Sequence, residues 1–304
     1  VAVLKGSEVE KMRERNNVLV AFPDVSASLK DGAGAPLAVL LEPAKADAFP
    51  KGWVISDRAV LAWSEDNKRV FFGIKEQVPT PNTTRKSTDE AADVDVWNTG
   101  DEQVQSLQMV RAEQDRNFTF RQAFDVSAKR FVKLADETMR ELDVAPDGTW
   151  AVGLDKRAYI RNEKILPTAD IYRVNTSTGE RTLVVKGQLT GRHMFGITPH
   201  GRHFLFWKDN KIQAYDFETG TTKALGAGKV SFVDLEYDHP GTKPSYGFAG
   251  YSSDGKAIIA QHRYDLWLVP FDGGEPKNLT EGAGAKSEIR FRILRPVPAD
   301  PTLP

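Results

Sequence analysis

The 304-residue chain has no cysteine. Disulfide bonds, thiolate zinc sites and cysteine nucleophiles are therefore excluded. The chain also lacks an excess of charge of one sign, because 41 Lys and Arg stand against 42 Asp and Glu and leave a net charge of −1. Without a positive field or a basic stripe, it is not expected to bind nucleic acid. No apolar run approaches the roughly 20 residues of a membrane-spanning helix, so no membrane span is predicted.

What the sequence does contain is a repeat. Each copy has a short apolar strand signal, a tight turn, two further strand signals with a second turn, and a last polar strand signal. Glycine closes the first turn at Gly148, Gly201 and Gly255, so the copies are 53 and 54 residues apart. A period of about 40–55 residues with four strand signals in each copy is typical of a β-propeller blade. The copies occupy residues 139–187, 193–228 and 246–282.

Weaker copies, each with some of the four strand signals, flank the three clear ones. The hairpin predicted at 60–74 has Asn67 in its turn, and 93–100 is expected to supply the third strand of that blade. We therefore predict an all-β chain, a β-propeller of four-stranded antiparallel blades with about six to seven blades, the terminal ones incomplete. The weaker signals lie at 18–22, 37–41, 60–74, 93–100, 119–136 and 287–295.

The propeller is expected to span residues 1–295 as one domain. Residues 296–304 contain four prolines, which excludes a helix or a central strand there. This segment predicts a linker or the start of a missing C-terminal domain.

The repeat also predicts which side of the blades binds ligands. Both tight turns of an antiparallel blade lie at one edge, so the longer connections lie at the other. Such connections vary more freely than hairpins, and we expect binding at their edge. They comprise 75–93, 155–169, 186–193, 226–246 and 262–265.

Chemistry-bearing patterns are sparse. There is no Gly-x-Ser-x-Gly, no His-Glu-x-x-His and no EF-hand loop, so the sequence predicts no catalytic residue, no metal site and no cofactor. His193, His200 and His203 are close in sequence, but His200 occupies the turn position that Asp147 and Asp254 fill in the other copies. These histidines are interpreted as structural or solvated.

Two charged segments are candidates for substrate or interface binding. Arg111, Glu113 and Arg116 belong to a dense mixed-charge run, which predicts either a salt-bridged surface turn or a cluster that holds a substrate terminus or a domain interface. His262, Arg263 and Tyr264 lie in one of the longer connections and are expected to touch a ligand or to be solvated.

The turns PDG at 146–148, PHG at 199–201 and SDG at 253–255, with strands such as DIYRV at 170–174, resemble the TolB-type propeller repeat. The stretches AWSEDNKRVFFGI (62–74), DVDVWN (93–98) and DLWLVPFDGG (265–274) are similar to the N-terminal propeller of bacterial prolyl-oligopeptidase-family serine peptidases. The resemblance covers residues 15–295.

In that family the propeller caps an α/β-hydrolase domain, which carries the catalytic triad, and filters peptide substrates. The resemblance therefore implies a non-catalytic gating domain, with the hydrolase domain of the same polypeptide and a peptide as partners. We expect a bacterial protein, periplasmic or secreted rather than cytoplasmic. One alternative is a free-standing TolB-like propeller that binds proteins. Another is a propeller enzyme, for which first strands offer only Glu141 and Asp143 as carboxylates.

Overall fold

The computed structural model describes residues 1–24, 38–80, 94, 98–161, 166–226 and 228–294, and the backbone of 302–303. Its contacts divide the chain into two compact units. Unit 1 comprises Val1–Leu142 with Thr176–Gly179, and unit 2 comprises Asp143–Asn175 with Glu180–Pro304. The Pro-rich segment predicted as a linker lies outside the described residues, apart from the backbone of 302–303.

Among its described residues, the first part of the chain forms two antiparallel sheets, one α-helix and a short 3₁₀ helix at Pro43–Lys45. The first sheet has the strand order β1-β2-β3, and the second has the order β4-β6-β7-β8, with β5 also pairing with β6. The helix α1 spans Gln105–Asn117. The strands are β1 (Ala2–Ser7), β2 (Asn16–Ala21), β3 (Val39–Leu41), β4 (Trp53–Ser56), β5 (Ala62–Trp63), β6 (Arg69–Glu76), β7 (Phe120–Asp125) and β8 (Arg130–Val132).

The second part forms three sheets of four consecutive antiparallel strands, β9–β12, β13–β16 and β17–β20. A two-residue strand, β21 (Thr302–Leu303), pairs in parallel with β17, and a short helix, α2, spans Ala283–Ser287. The strands are β9 (Glu141–Val144), β10 (Trp150–Asp155), β11 (Thr168–Asn175), β12 (Arg181–Leu189), β13 (Met194–Ile197), β14 (His203–Lys208), β15 (Lys211–Asp216), β16 (Thr221–Leu225), β17 (Phe248–Ser252), β18 (Ala257–Gln261), β19 (Leu266–Pro270) and β20 (Lys277–Asn278).

The predicted fold class is confirmed: the described chain is nearly all β and is built of four-stranded antiparallel blades. The three clear repeats correspond to the three sheets β9–β12, β13–β16 and β17–β20. The copy at 60–74 contributes β5 and β6, and the copy at 119–136 contributes β7 and β8. The three-stranded first sheet is an incomplete blade.

Three local predictions were wrong. The third strand after β6 is Phe120–Asp125 and not 93–100, since Arg69 pairs with Asp125 along β6 and β7; most of 93–97 lies outside the described residues. The run around Arg111 is part of a helix rather than a surface turn. The described residues 288–294 contain no strand.

The tight first turns share one backbone geometry. Gly201 has φ +69° and Gly255 has φ +67°, and Asn67 takes the same left-handed region at φ +54°. The Gly255 amide donates to the Ser252 carbonyl at 2.9 Å, and the Ser252 hydroxyl donates to Asp254 at 2.6 Å. Glycine, which has no β-carbon, and asparagine adopt this conformation at the lowest cost. This explains why the repeat has one of these two residues in its first turn.

In unit 2 the first turns of consecutive sheets also pack against each other. A Cβ added to Gly201 would lie 2.6 Å from Oδ1 of Asp147 in the preceding turn, and one added to Gly255 would overlap the ring of His200. Glycine is therefore required twice over at these positions, by its φ and by the neighbouring side chain.

Strand β14 is buried between two hydrophobic clusters of unit 2. Phe204 and Phe206 pack into the cluster that contains Val152 and Ile171 of the sheet β9–β12. The alternate residues Leu205 and Trp207 pack into the cluster that contains β17–β19 side chains. Because successive side chains of a strand face opposite sides, a sheet covered on both sides requires an uninterrupted apolar run.

Gly255→Ala is expected to reduce the free energy of unfolding by more than the cost of a positive φ. An alanine there must keep the left-handed conformation, which costs about 1–2 kcal/mol, and its Cβ also overlaps the His200 ring. The overlap adds a further loss of about 1–3 kcal/mol. Urea unfolding monitored by circular dichroism measures the loss.

Gly228→Ala is the matched control, because Gly228 has φ +80° and nothing described lies within 4 Å of its added Cβ. The double variant His200→Ala/Gly255→Ala should lose little more than this control, since the overlap is removed. Equal losses for Gly255→Ala and Gly228→Ala would contradict the role assigned to His200.

Candidate functional site

Three of the predicted connections of unit 2 meet in a groove. The groove has a volume of about 500 Å³ and is lined by Leu166–Pro167, by 190–193 and by residues from 234 to 239. The first segment joins β10 to β11, the second joins β12 to β13, and the third lies between β16 and β17. All three lie at the edge opposite to the tight turns, as the antiparallel strand order predicts.

The long connection after β16 is fixed by an isolated antiparallel bridge between Val233 and Ser245. The Asp234 amide donates to the Pro244 carbonyl at 2.9 Å, and the Tyr246 amide donates to the Phe232 carbonyl at 3.0 Å. The Trp207 indole N–H donates to the Lys243 carbonyl at 2.9 Å. These bonds hold the groove-lining residues against the buried strand β14.

The connection after β10 is fixed by a charged hydrogen bond. The Tyr159 hydroxyl donates to Oδ1 of Asp170 at 2.5 Å, and the same oxygen accepts from the Gly187 amide at 2.8 Å. The bond to the carboxylate raises the pKa of Tyr159 to about 12, because loss of the phenolic proton would leave two anions in contact.

His193 is the most deeply buried charged or polar residue of the groove, with 1% of its surface exposed. Burial lowers the pKa of its imidazole, and the neighbouring Arg192 lowers it further, while the backbones of Thr242 and Thr190 act in the opposite direction. Neither ring nitrogen meets the geometry of a hydrogen bond with any group in the described part of the chain. The lowered pKa favours the neutral form of the ring.

The side chain of Gln188 holds the backbone at His193 in place. Gln188 is buried, with 1% of its surface exposed. Its amide nitrogen donates to the His193 carbonyl at 3.3 Å and to the Trp207 carbonyl at 3.0 Å. The amide thus ties the groove floor to strand β14 and fixes the position of the imidazole.

Carboxylates surround the mouth of the groove, at Asp234, Glu236 and Asp238. Glu236 is paired with two guanidinium groups, Arg263 at 3.2 Å and Arg290 at 2.5 Å. Asp234 accepts from the Glu236 amide at 3.0 Å. Asp238 is 89% exposed, and its nearest ionisable partner is a histidine at 3.8 Å.

Two rings complete the rim. The rings of Tyr237 and His239 meet edge to face with centroids 5.1 Å apart. The guanidinium of Arg192 lies 5.6 Å from the centroid of Tyr237, within the range of a cation–π contact.

The structure brings one of the predicted site residues to this groove. Arg263 contacts it through Glu236. His262 packs against Phe232 and Tyr246, and burial lowers the pKa of its imidazole although Asp265 acts in the opposite direction. The third predicted residue, Tyr264, accepts a backbone hydrogen bond from Phe291 and lies under the Arg263 guanidinium.

The other predicted residues lie in unit 1, on α1. Arg111, Glu113 and Arg116 are exposed. The Arg116 guanidinium donates to the Ala112 carbonyl at 3.0 Å, and the Arg116 carbonyl accepts from Lys75 at 2.6 Å. Since no ion pair found among the described residues includes these three side chains, the predicted mixed-charge cluster stays a prediction.

Sequence reasoning missed the residues that build the groove. The segment 234–239 has three carboxylates, a tyrosine and a histidine in six positions, and this density in a long connection was the available signal. Nothing local marked His193 as buried. Within the described ranges no group of three or more His, Cys, Asp or Glu is placed to hold a metal ion, and the exposed Glu141 and Asp143 of β9 do not contribute to the groove.

The groove has room for a ligand, but its described residues do not provide the groups that acyl transfer requires. Its one hydroxyl side chain besides Tyr237 is Thr190, which donates to the Pro167 carbonyl at 3.2 Å. A nucleophile must instead be hydrogen-bonded to a base, and the His193 nitrogens contact no hydroxyl group among the described residues.

No family model matches the chain, and no curated protein matches it. Solved structures do. A TolB protein from Agrobacterium tumefaciens is 16% identical, with 73% of this chain and 61% of that chain covered and a TM-score of 0.34. Dipeptidyl peptidase 4 from Porphyromonas gingivalis is 11% identical, with 91% and 38% covered and a TM-score of 0.41.

The β-propeller domain of the trilobed protease from Pyrococcus furiosus is 11% identical, with 93% of this chain and 73% of that chain covered and a TM-score of 0.35. The chain thus spans about three fifths of the TolB chain and well under half of the peptidase chain. Among the described residues, no helix has the length and apolar character needed to cross a membrane.

Asp265 anchors the connection that carries Arg263. It is 3% exposed and accepts from Thr280 Oγ1 at 2.6 Å and from the Gly284 amide at 3.0 Å, at the start of α2. Burial alone would raise the pKa of this carboxyl, but the hydrogen bonds from Thr280, Gly284 and Ala285 outweigh it and lower the pKa below 3.8.

Asp265→Asn is expected to reduce the free energy of unfolding by about 1–3 kcal/mol at pH 7, the cost of weakening hydrogen bonds to a buried charge. A carboxyl with a lowered folded-state pKa stabilises the protein above its unfolded pKa of 3.8, and the contribution is lost as pH falls below that value. The difference from the native protein should therefore shrink below about pH 4.

Chemical unfolding at pH 7, 5, 4 and 3 measures this difference. Asp238→Asn is the control, because Asp238 is 89% exposed and its replacement should be nearly neutral throughout. A difference for Asp265→Asn that stayed constant down to pH 3 would contradict the assigned stabilisation of the ionised form.

Proposed function

We propose that the chain is the non-catalytic β-propeller part of a serine peptidase related to prolyl oligopeptidase. In this role it caps an α/β-hydrolase domain of the same polypeptide and selects peptide substrates. The sequence motifs at 62–74 and 265–274 support the choice of family. We extend the proposal to a periplasmic or secreted location in a bacterium.

The observation that carries the proposal is the difference between the two edges of the sheets in unit 2. One edge has tight turns that pack on each other at Gly201 and Gly255. The other edge has the groove, with charged and aromatic side chains and no nucleophile–base pair in the described residues. A domain with a polar binding surface and no catalytic pair is suited to selecting a substrate that another domain cleaves.

A second candidate is a free-standing TolB-like propeller that binds a partner protein. Helix α1 favours this function, because none of its side chains is buried. Met109 is 69% exposed and Val110 is 81% exposed. Exposed apolar side chains on a helix are typical of protein contact surfaces.

The purified chain is expected to show no hydrolysis of a proline-containing peptide p-nitroanilide, because the described residues of the groove include no nucleophile paired with a base. Release of nitroaniline is measured by absorbance. Turnover that co-purifies with the chain through two independent columns would contradict the non-catalytic assignment.

The parent reading frame separates the two candidates. An open frame that continues past Pro304 into a segment with Gly-x-Ser-x-Gly is expected for the peptidase. A stop codon near that position would overturn the peptidase and leave the free-standing propeller.

A further inference from the structure

The imidazole of His193 is buried, and its hydrogen-bonding capacity is incompletely satisfied by the described residues of unit 2. It is 1% exposed, and both ring nitrogens lack a hydrogen-bond partner among the described residues. A buried polar atom without a partner costs about 1–3 kcal/mol. Native proteins retain such groups where a ligand, an ion or an ordered water completes the bond.

His193 lines the groove, so a ligand there can supply the missing partners. A neutral imidazole has one donor and one acceptor nitrogen. Peptide groups also present one donor and one acceptor each. A peptide backbone therefore matches the unsatisfied ring better than a ligand with only donors or only acceptors.

The charges of the lining indicate the side chains of that peptide. The lining contains three carboxylates and one guanidinium, that of Arg192. This guanidinium makes a cation–π contact with Tyr237. Glu236 is neutralised by Arg263 and Arg290. The remaining carboxylates, Asp234 and Asp238, have no Lys or Arg partner among the described ion pairs, and they attract a cation.

We propose that the groove between 166–167, 190–193 and 234–239 binds an extended peptide segment that carries lysine or arginine. His193 bonds to its backbone, and Asp234 and Asp238 bind its cationic side chain. The inference rests on the proposed function for the choice of a peptide as ligand. Leu166 and Pro167 form the apolar wall on which the peptide lies.

The experiment is isothermal titration of the purified chain with two blocked peptides, acetyl-GKGKG-amide and acetyl-GEGEG-amide. Saturable binding of the lysine peptide, and none of the glutamate peptide, is expected. Asp238→Asn and Asp234→Asn should each weaken binding of the lysine peptide about two- to fivefold, as expected for charge pairs that water can reach. Glu218→Gln, which removes an exposed carboxylate at the tight-turn edge, should leave the affinity unchanged.

His193→Leu tests the imidazole separately. Since the replacement removes two unsatisfied nitrogens and keeps an apolar volume, the unfolding midpoint should stay the same or rise. Binding of the lysine peptide should weaken about two- to tenfold through the lost hydrogen bonds. In the native chain, the ¹⁵N shifts of the His193 ring should move when the lysine peptide is added.

Several results would overturn the inference: no binding of the lysine peptide, equal binding of the glutamate peptide, or full affinity in His193→Leu. An unmoved His193 resonance at saturation would do the same. If His193→Leu fails to fold, the ring resonances of the native chain and the affinities of the two Asp variants test the inference instead. These outcomes are independent of the reading frame past Pro304, so the failure of this inference is distinguishable from that of the proposed function.

Discussion

The spacing of the sheets in unit 2 depends on contact between successive turns. Asp147 lies against Gly201, and His200 lies against Gly255. A second row of contacts runs along the other turns, where Arg173 donates to the Phe217 carbonyl at 2.7 Å and Lys223 donates to the Asp272 carbonyl. Because each sheet is fixed to the next at two points, the repeat in the sequence records a repeated contact as well as a repeated strand pattern.

The packed turns also determine where the core and the groove of unit 2 lie. With the turns in place, β14 is covered on both sides, and Trp207 belongs to the core while its indole N–H holds Lys243 in the long connection. Gln188 makes a similar link, from a buried position to the backbone of His193. The groove is thus built from loops, but its floor is tied to a buried strand, and this combination gives the groove a defined shape.

The sequence was most informative where a residue has a local reason. Gly148, Gly201 and Gly255 marked turns because of their φ, and the strands between them alternate or are fully apolar for reasons that a pattern reveals. Helix α1 escaped prediction because it buries no side chain and so lacks an amphipathic stripe. The burial of His193 also escaped, since it depends on Gln188 and on the connection after β16, which are near only in the folded chain.

The separation of the two edges affects how such a protein can change over evolutionary time. The residues that hold the sheets together in unit 2 are at the turns, whereas those that line the groove come from three separate connections. Insertions or substitutions in one connection leave the packed turns and the other two connections in place. The lining of the groove can therefore change one connection at a time, while the packed turns and the sheets stay the same.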